Sequence, residues 1–595
     1  MKLVSTFSSQ AEDNNKSIEK KNVILIALHP NEFPFIGESH GISIISGYLK
    51  SKFDDINVYL YDQQLDSLDE ILKAIKHYKP SILGVAVKMK TFDQMQILYE
   101  RIGREIPKEQ RPYIVLGNSI PHFNGETILS KYFNDVFIGL GEGEIIMNDL
   151  YNYIHKKQSF ESIRNIMYIR EGRIYSTKRS YLSGAEILLP DRSRTAEFYK
   201  KGGEVYIEAS RGCAYCGCKI CECRDFLGSK TFSKKWRPRT TYLTLLDMRN
   251  LMELGVKNIT FADEDFLGFD DSGIDRAIRL AKAIISNNIN INFRINARVK
   301  SIYNENDTAE MRIKRELAFQ ALKKSGLVKI FLGLESGSLT QLKRYGKGFE
   351  FDEFKNAYQI LNKLDIDYEL GFILMDPLMS FTEFKENLKF IKQYNIIPKV
   401  SSIYKELRIQ SGNKLYLSQV KTVEIKKKIQ IVSDLDFYNQ EYNIITYADD
   451  RITFINNIMK QYDNISYKIY YLFRIITQYS ENSSKKDNIG QSAFFEIIGS
   501  IKNLEFDFLE ELMKLIEIHG LNIMKGKELL NLFETKKRFI FASILNNKLY
   551  SKYCVLYPTI NKELTDYIEL SESFTQFEHT NIKKVEEQKK ETMNR

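Results

Sequence analysis

The chain is poor in several residue types. It holds one tryptophan, six cysteines, seven histidines and eleven prolines among 595 residues. No apolar run approaches the ~18 residues of a membrane-spanning helix, so no membrane span is expected. The first residues, MKLVSTFSSQAEDNNKSIEKKN, contain no apolar stretch long enough for a secretory signal, and a cytoplasmic location is expected. A long basic tract is also missing. The formal charge of +9 is small for this length, and Lys and Glu are interleaved, which argues against a nucleic-acid partner. What remains is ordinary globular composition, 43% hydrophobic and 27% charged, with enough length for several domains.

Residues 1–21 are polar and are expected to be disordered. From 22 to 156, five short apolar runs alternate with helical patterns: NVILIALHP (22–30), INVYLYD (56–62), SILGVAVKM (81–89), YIVLGN (113–118) and DVFIGLGEGE (135–144). That alternation predicts a parallel sheet covered on both faces, a doubly wound, flavodoxin-like domain whose ligand sits beyond the strand carboxyl ends. Residues 157–200 read as a connector with a hairpin at RNIMYIREGRIYSTK. A second β/α series runs from 201 to 404, with strands at VYIEAS (205–210), NITFADED (258–265), INFRINAR (291–298), KIFLGLES (329–336) and YELGFILMDP (368–377). A sixth strand is expected near IPKVSSIY (397–404), giving a partial or full β/α barrel. Residues 405–580 read as a mainly α-helical C-terminal region, with helices expected at 422–434, 465–479, 504–518 and 525–546, and 581–595 as a disordered tail. The fold class is therefore α/β with a helical C-terminal extension.

Five of the six cysteines fall in RGCAYCGCKICECRDFLG (211–228): Cys213, Cys216, Cys218, Cys221 and Cys223. They could form a disulfide staple, a zinc site or a nest for an iron–sulfur cluster. A reducing compartment disfavours the staple. Structural zinc usually takes two spaced pairs of ligands, and here a second pair and a nearby histidine are missing. Iron–sulfur clusters take thiolates, and three of them leave one iron open. The loop follows the first barrel strand, where barrel chemistry is found.

EASRGCAYCGCKICECRDFLG resembles the cluster loop of the radical SAM enzymes, and its SRGC entry resembles members with a cobalamin-binding domain. ITFADEDFLG (259–268), FLGLESGSLTQLKRYGKG (331–348) and GFILMDP (371–377) resemble the segments after the second, fourth and fifth strands of that family. YIVLGNSIPHF and FIGLGEGE resemble turns of its cobalamin domain. The loop departs from the usual C-x3-C-x2-C spacing, because residue 217 is Gly. The best match is Cys213, Cys218 and Cys221, with Cys216 in place of Cys218, or Cys223 in place of Cys221, as alternatives.

The resemblance implies a [4Fe–4S] cluster on those three cysteines, with S-adenosylmethionine cleaved to a 5′-deoxyadenosyl radical by an electron from a donor such as flavodoxin or ferredoxin. It implies that Glu335 accepts from the ribose hydroxyls with help from Ser336. Asp263, Glu264 and Asp265 would lie near the methionine ammonium, and Arg298 near its carboxylate. It implies cobalamin bound by Gly117, Asn118, Gly141, Glu142, Gly143 and Glu144. The D-x-H-x-x-G motif that supplies a cobalt-ligating histidine is missing, and His40 and His122 read as ordinary loop residues. The activity implied is methylation of an unactivated carbon of a small-molecule or peptide substrate. The alternatives are a radical rearrangement, oxidation or cyclisation without methyl transfer, and a metal-stabilised binding protein. Cys554 reads as a buried apolar residue.

Overall fold

The computed structural model describes residues 20–30, 37–226, 236–268, 270–462, 469–470, 488–547, 550 and 562–568. Seven strands form the first sheet: β1 (Lys21–Ala27), β2 (Ile56–Asp62), β3 (Ile82–Ala86), β4 (Tyr113–Gly117), β5 (Phe137–Gly139), β6 (Ile166–Arg170) and β7 (Arg173–Ser176). Their order is β2-β1-β3-β4-β5-β6-β7, parallel through β5 and antiparallel beyond it. The first five strands have the flavodoxin order 2-1-3-4-5. The hairpin anticipated within the connector adds two strands to this sheet's edge.

Alternation along β1 shows how the layers form. Ile24 and Ile26 pack with the helices Leu68–Tyr78 and Phe92–Glu105, whereas Val23, Leu25 and Ala27 pack with His40–Lys52 and Gly143–His155. Ser67 starts one of these helices as half of a capping box with Glu70, satisfying backbone donors that the first turn leaves open.

A second, five-stranded parallel sheet curves beside the first. Its strands are Tyr206–Ile207, Asn258–Phe261, Asn292–Ala297, Leu327–Glu335 and Asp367–Phe372. Ile330, Leu332 and Leu334 of the fourth strand enter the main core, while Phe331, between them, remains 38% exposed on the opposite face. The sixth strand expected at 397–404 is not formed. Ile397–Lys399 is a single 3-10 turn, and only isolated bridges, Leu370 to Val400 and Met375 to Glu406, extend the sheet. Pro398 has no N–H to give a ladder, and the Val400 carbonyl is taken by Lys502 Nζ at 2.6 Å. The barrel is therefore partial.

The C-terminal region is less helical than expected. Instead of a helix at 422–434, Lys414–Lys427 is helical and stops at Lys428, whose φ is +54°. A three-stranded antiparallel sheet of Ile409–Gln410, Val432–Asp436 and Glu441–Ile444 follows. The Glu424 carboxylate accepts from the Ile431 and Val432 amides and anchors the turn between helix and strand. This small sheet covers the end of the first domain. Phe437 packs against Phe92 and Tyr132, and Asn124 Nδ2 donates to Gln440 Oε1 at 2.9 Å. Helices Asp450–Tyr462, Asn488–His519 and Ile523–Leu545 complete the region; Ile455, Leu509 and Phe533 share the barrel's core. The helix expected at 465–479 lies largely outside the described residues, as do Cys554 and the tail. Among the described residues, no helix is long and apolar enough to cross a membrane.

Candidate active site

The first barrel strand delivers the cysteine loop, and the second fixes its start. The Asp263 carboxylate accepts from the Ala209 amide at 2.9 Å and from the Ser210 hydroxyl. Burial pushes the Asp263 carboxyl up to about 6. Asp265, fully buried, holds Arg298 Nε at 2.8 Å and the Ser301 hydroxyl at 3.1 Å. Arg298 in turn stands over the Tyr215 ring at 5.6 Å. Glu264 accepts from the Gly212 amide at 3.0 Å and opens into a cavity; enclosure pushes its carboxyl up to about 7. Asp263 and Asp265 thus position the loop and Arg298, and Glu264 is the member of the acidic turn that lines the cavity.

None of the five loop cysteines is in a disulfide; Cys221 is exposed and the others are partly buried. The loop separates them. Cys216 has φ +52°, and its thiol turns back onto the Cys213 carbonyl at 2.8 Å. Cys218 feels the charges of Lys347, Cys221 and Arg298, and Cys213 those of Asp265 and Arg298. Burial raises both thiols above their ordinary value, so metal binding must displace protons. Cys223 hydrogen-bonds with Cys221, which together with burial raises it as well. Among the described residues, no three such groups converge tightly enough for a single metal ion. A four-iron cluster spans more space than one ion, and the donor set, three thiolates on a loop at a strand carboxyl end, fits it.

Glu335 ends the fourth strand at a β-bulge with φ +71°, an uncommon conformation for a non-glycine residue that re-aims its side chain. Its Oε1 accepts from Lys347 Nζ at 3.2 Å. Ser336 faces elsewhere. Its hydroxyl is buried, donates to Gln341 Oε1 at 2.5 Å and accepts from the Ser338 amide at 2.9 Å.

A cavity of about 500 Å³ lies between the carboxyl ends of the first sheet and the barrel. Gly117, Asn118, Gly141, Glu142, Gly143 and Glu144 line it from one side, and Tyr206, Glu208, Arg211 and Glu264 from the other. At Gly117 an added Cβ would meet nothing nearer than the Val85 carbonyl at 4.0 Å, so glycine there leaves space that packing does not require. Gly141, at φ +124°, makes the turn above β5. This cradle fits a bulky ligand. Glu142 and Glu144 contribute backbone rather than free carboxylates, because their side chains bind Arg211 and, for Glu142, Arg237 at 2.7 Å. His40 also lines the cavity; burial lowers its pKa well below the ordinary value and keeps it neutral. His122 packs edge-on against Phe226, and burial lowers it to about 3. Lys88, whose Nζ donates to Ser39 Oγ at 2.9 Å, completes the wall.

Sequence reasoning passed over Arg211, Tyr215, Lys88 and Lys347. Arg211 and Lys347 lie inside SRGC and YGKG, where a basic residue between small ones was the available signal.

Residues 207–391 match the model of the Radical SAM superfamily. Over 416 residues the chain is 29% identical to 4′-phospho-dehydrooxetanocin synthase of Priestia megaterium, spanning 67% of this chain and 54% of that protein. Over 388 residues it is 23% identical to an uncharacterized methyltransferase of Pyrococcus horikoshii, spanning 63% of this chain and 78% of the relative. The solved structure of the cobalamin-dependent S-adenosylmethionine radical enzyme OxsB, with aqua-cobalamin and S-adenosylmethionine bound, superposes with a TM-score of 0.79 at 20% identity, covering 92% of this chain and 84% of that one. Residues 207–391 thus make up a radical SAM domain, and the chain shares its fold with the cobalamin-dependent radical enzyme OxsB.

Proposed function

We propose that this chain is a cobalamin-dependent radical SAM enzyme that abstracts hydrogen from an unactivated carbon and delivers a methyl group to it. The observation that carries this reading is a cavity walled by the glycine turns of the first sheet on one side and by Glu208, Arg211 and Glu264 on the other. Residues of both domains wall it, so a group held by the first domain faces the start of the cysteine loop and Glu264 of the acidic turn.

When bound, the cluster and S-adenosylmethionine supply a carbon-centred radical, and cobalamin supplies a transferable methyl group. The chain's own residues do the rest. Cys213, Cys218 and Cys221 hold the cluster. Glu335 accepts from the ribose hydroxyls, and Lys347 aims its carboxylate. Arg298, fixed by Asp265, pairs with the methionine carboxylate, and Glu264 with the ammonium. Gly117, Asn118 and the 141–144 turn bring backbone against the corrinoid, and the 409–444 sheet shields that end from water. The electron comes from a low-potential donor such as flavodoxin or ferredoxin. The substrate is a small molecule or peptide.

A second reading has support in the name of the 29% identical relative, a synthase of a phosphorylated dehydro compound. In that reading the substrate radical rearranges or is oxidised, with no methyl transfer. Anaerobic reconstitution with iron, sulfide and hydroxocobalamin, followed by product analysis with S-adenosylmethionine and dithionite, tests both. Bound iron and corrinoid with both 5′-deoxyadenosine and S-adenosylhomocysteine released supports methyl transfer. 5′-Deoxyadenosine alone supports rearrangement. Iron without corrinoid removes cobalamin from the proposal, and no iron removes the cluster.

A further inference from the structure

The turn after the fourth-strand helix reads Tyr345-Gly346-Lys347-Gly348, and both glycines are left-handed, with φ of +69° and +70°. Neither tolerates a side chain. A Cβ on Gly346 would lie 2.6 Å from the Gly217 carbonyl oxygen, and one on Gly348 2.1 Å from the Tyr215 hydroxyl. The Lys219 amide donates to the Tyr345 carbonyl at 2.8 Å, so the turn is pinned to the middle of the cysteine loop. Lys347 is the one residue between these glycines that carries a side chain. Its side chain is 11% exposed, and its ammonium lies 3.2 Å from Glu335 Oε1 and acts electrostatically on Cys218 and Cys221.

We infer that Lys347 is a positioning residue that links the ribose-binding carboxylate to the cluster thiolates, aiming Glu335 and raising the reduction potential of the cluster. The inference rests on the cluster reading above. A fixed positive charge beside the thiolates favours the state with one more electron, and enclosure keeps water from screening it. Glu335 opposes that charge, so the pair sets the local field together. When a nucleoside engages Glu335, the balance shifts at the cluster, which ties electron uptake to occupancy of the ribose site. The electron enters singly from the external donor, and no proton transfer at Lys347 is required.

The test uses the full chain, reconstituted anaerobically without S-adenosylmethionine, in an EPR-monitored titration with dithionite. Lys347→Met is expected to lower the equilibrium constant for cluster reduction at least tenfold, a shift of 59 mV for one electron, at unchanged iron content. Glu335→Gln is expected to shift it the opposite way, the double variant to return near the parent value, and Lys347→Arg to restore it. A Lys347→Met cluster with the parent potential, or Lys347→Met and Glu335→Gln shifts of the same sign, overturns the inference. If the parent chain takes up no iron, the cluster reading fails first, visibly and before any variant is compared. If Lys347→Met loses iron, Lys347→Arg with full iron and the parent potential sustains the inference, and Lys347→Arg with full iron and an equilibrium constant for reduction lowered tenfold overturns it.

Discussion

Arg211 Nη2 lies 2.6 Å from Glu144 Oε1, joining the residue two places before Cys213 to the helix that closes the first sheet. The same guanidinium reaches Glu142 at 3.3 Å and Glu208 at 2.9 Å, and its side chain is only 7% exposed. A cation enclosed by three carboxylates couples the two halves of the cavity through charge. Burial raises the Glu144 carboxyl above its ordinary value even with Arg211 beside it.

Arg211→Met should therefore destabilise the chain strongly. It leaves Glu144 and Glu208 without this cation, a loss of ~3–5 kcal/mol for a broken buried pair. Urea denaturation of parent and variant checks it. A loss under ~1 kcal/mol would mean that the carboxylates find other partners or protons.

Gly117→Val separates ligand binding from folding. The Cβ position is open, so the variant should keep its stability within ~0.5 kcal/mol, as at a site that packing does not use. It should nevertheless weaken hydroxocobalamin binding at least tenfold, read from the corrinoid retained after desalting. Normal corrinoid binding would move the ligand away from the end of β4.

Much of this was legible because the relevant physics is local. The β1–β5 alternation, the thiol-rich loop and the acidic turn declare themselves through period and residue type. What was not legible depends on contacts remote in sequence. Ser336 neighbours Glu335, yet the bulge turns the two apart, and a bulge has no reliable signature in one strand read alone. The segment 397–404 has strand composition, but Pro398 and the capture of the Val400 carbonyl by Lys502, 102 positions away, limit its pairing to one bridge, Leu370 to Val400. The 432–436 strand begins within the 422–434 segment, whose Lys426–Lys428 run reads as helix, and contacts with the first domain decide otherwise.

Lys502 gives a pH-dependent stability signature. Burial lowers its pKa from 10.5 to about 8, with Glu369 as the leading opposing charge. The folded value lies below the unfolded one, so between these values the unfolded chain binds more protons and stability rises with pH. Urea midpoints should increase between pH 8 and pH 10, and Lys502→Met should remove this part of the increase. An identical pH profile in the variant would show that the ammonium is solvated.

Glu264 supplies the corresponding signature in binding. Enclosure holds its carboxyl near 7, so at pH 8 it is charged and at pH 6 mostly neutral. A neutral carboxyl attracts the methionine ammonium far less than a carboxylate does. S-adenosylmethionine affinity in the reconstituted chain should therefore fall as pH falls, by about tenfold from pH 8 to pH 6. Glu264→Gln should bind at the weaker level at both values, because the amide keeps the shape and the Gly212 contact while losing the charge. Calorimetric titration at the two pH values measures this. A flat profile in the parent chain would transfer the ammonium to another carboxylate. Asp263 and Asp265 are poor candidates for that role, since both are already committed to holding the loop and Arg298.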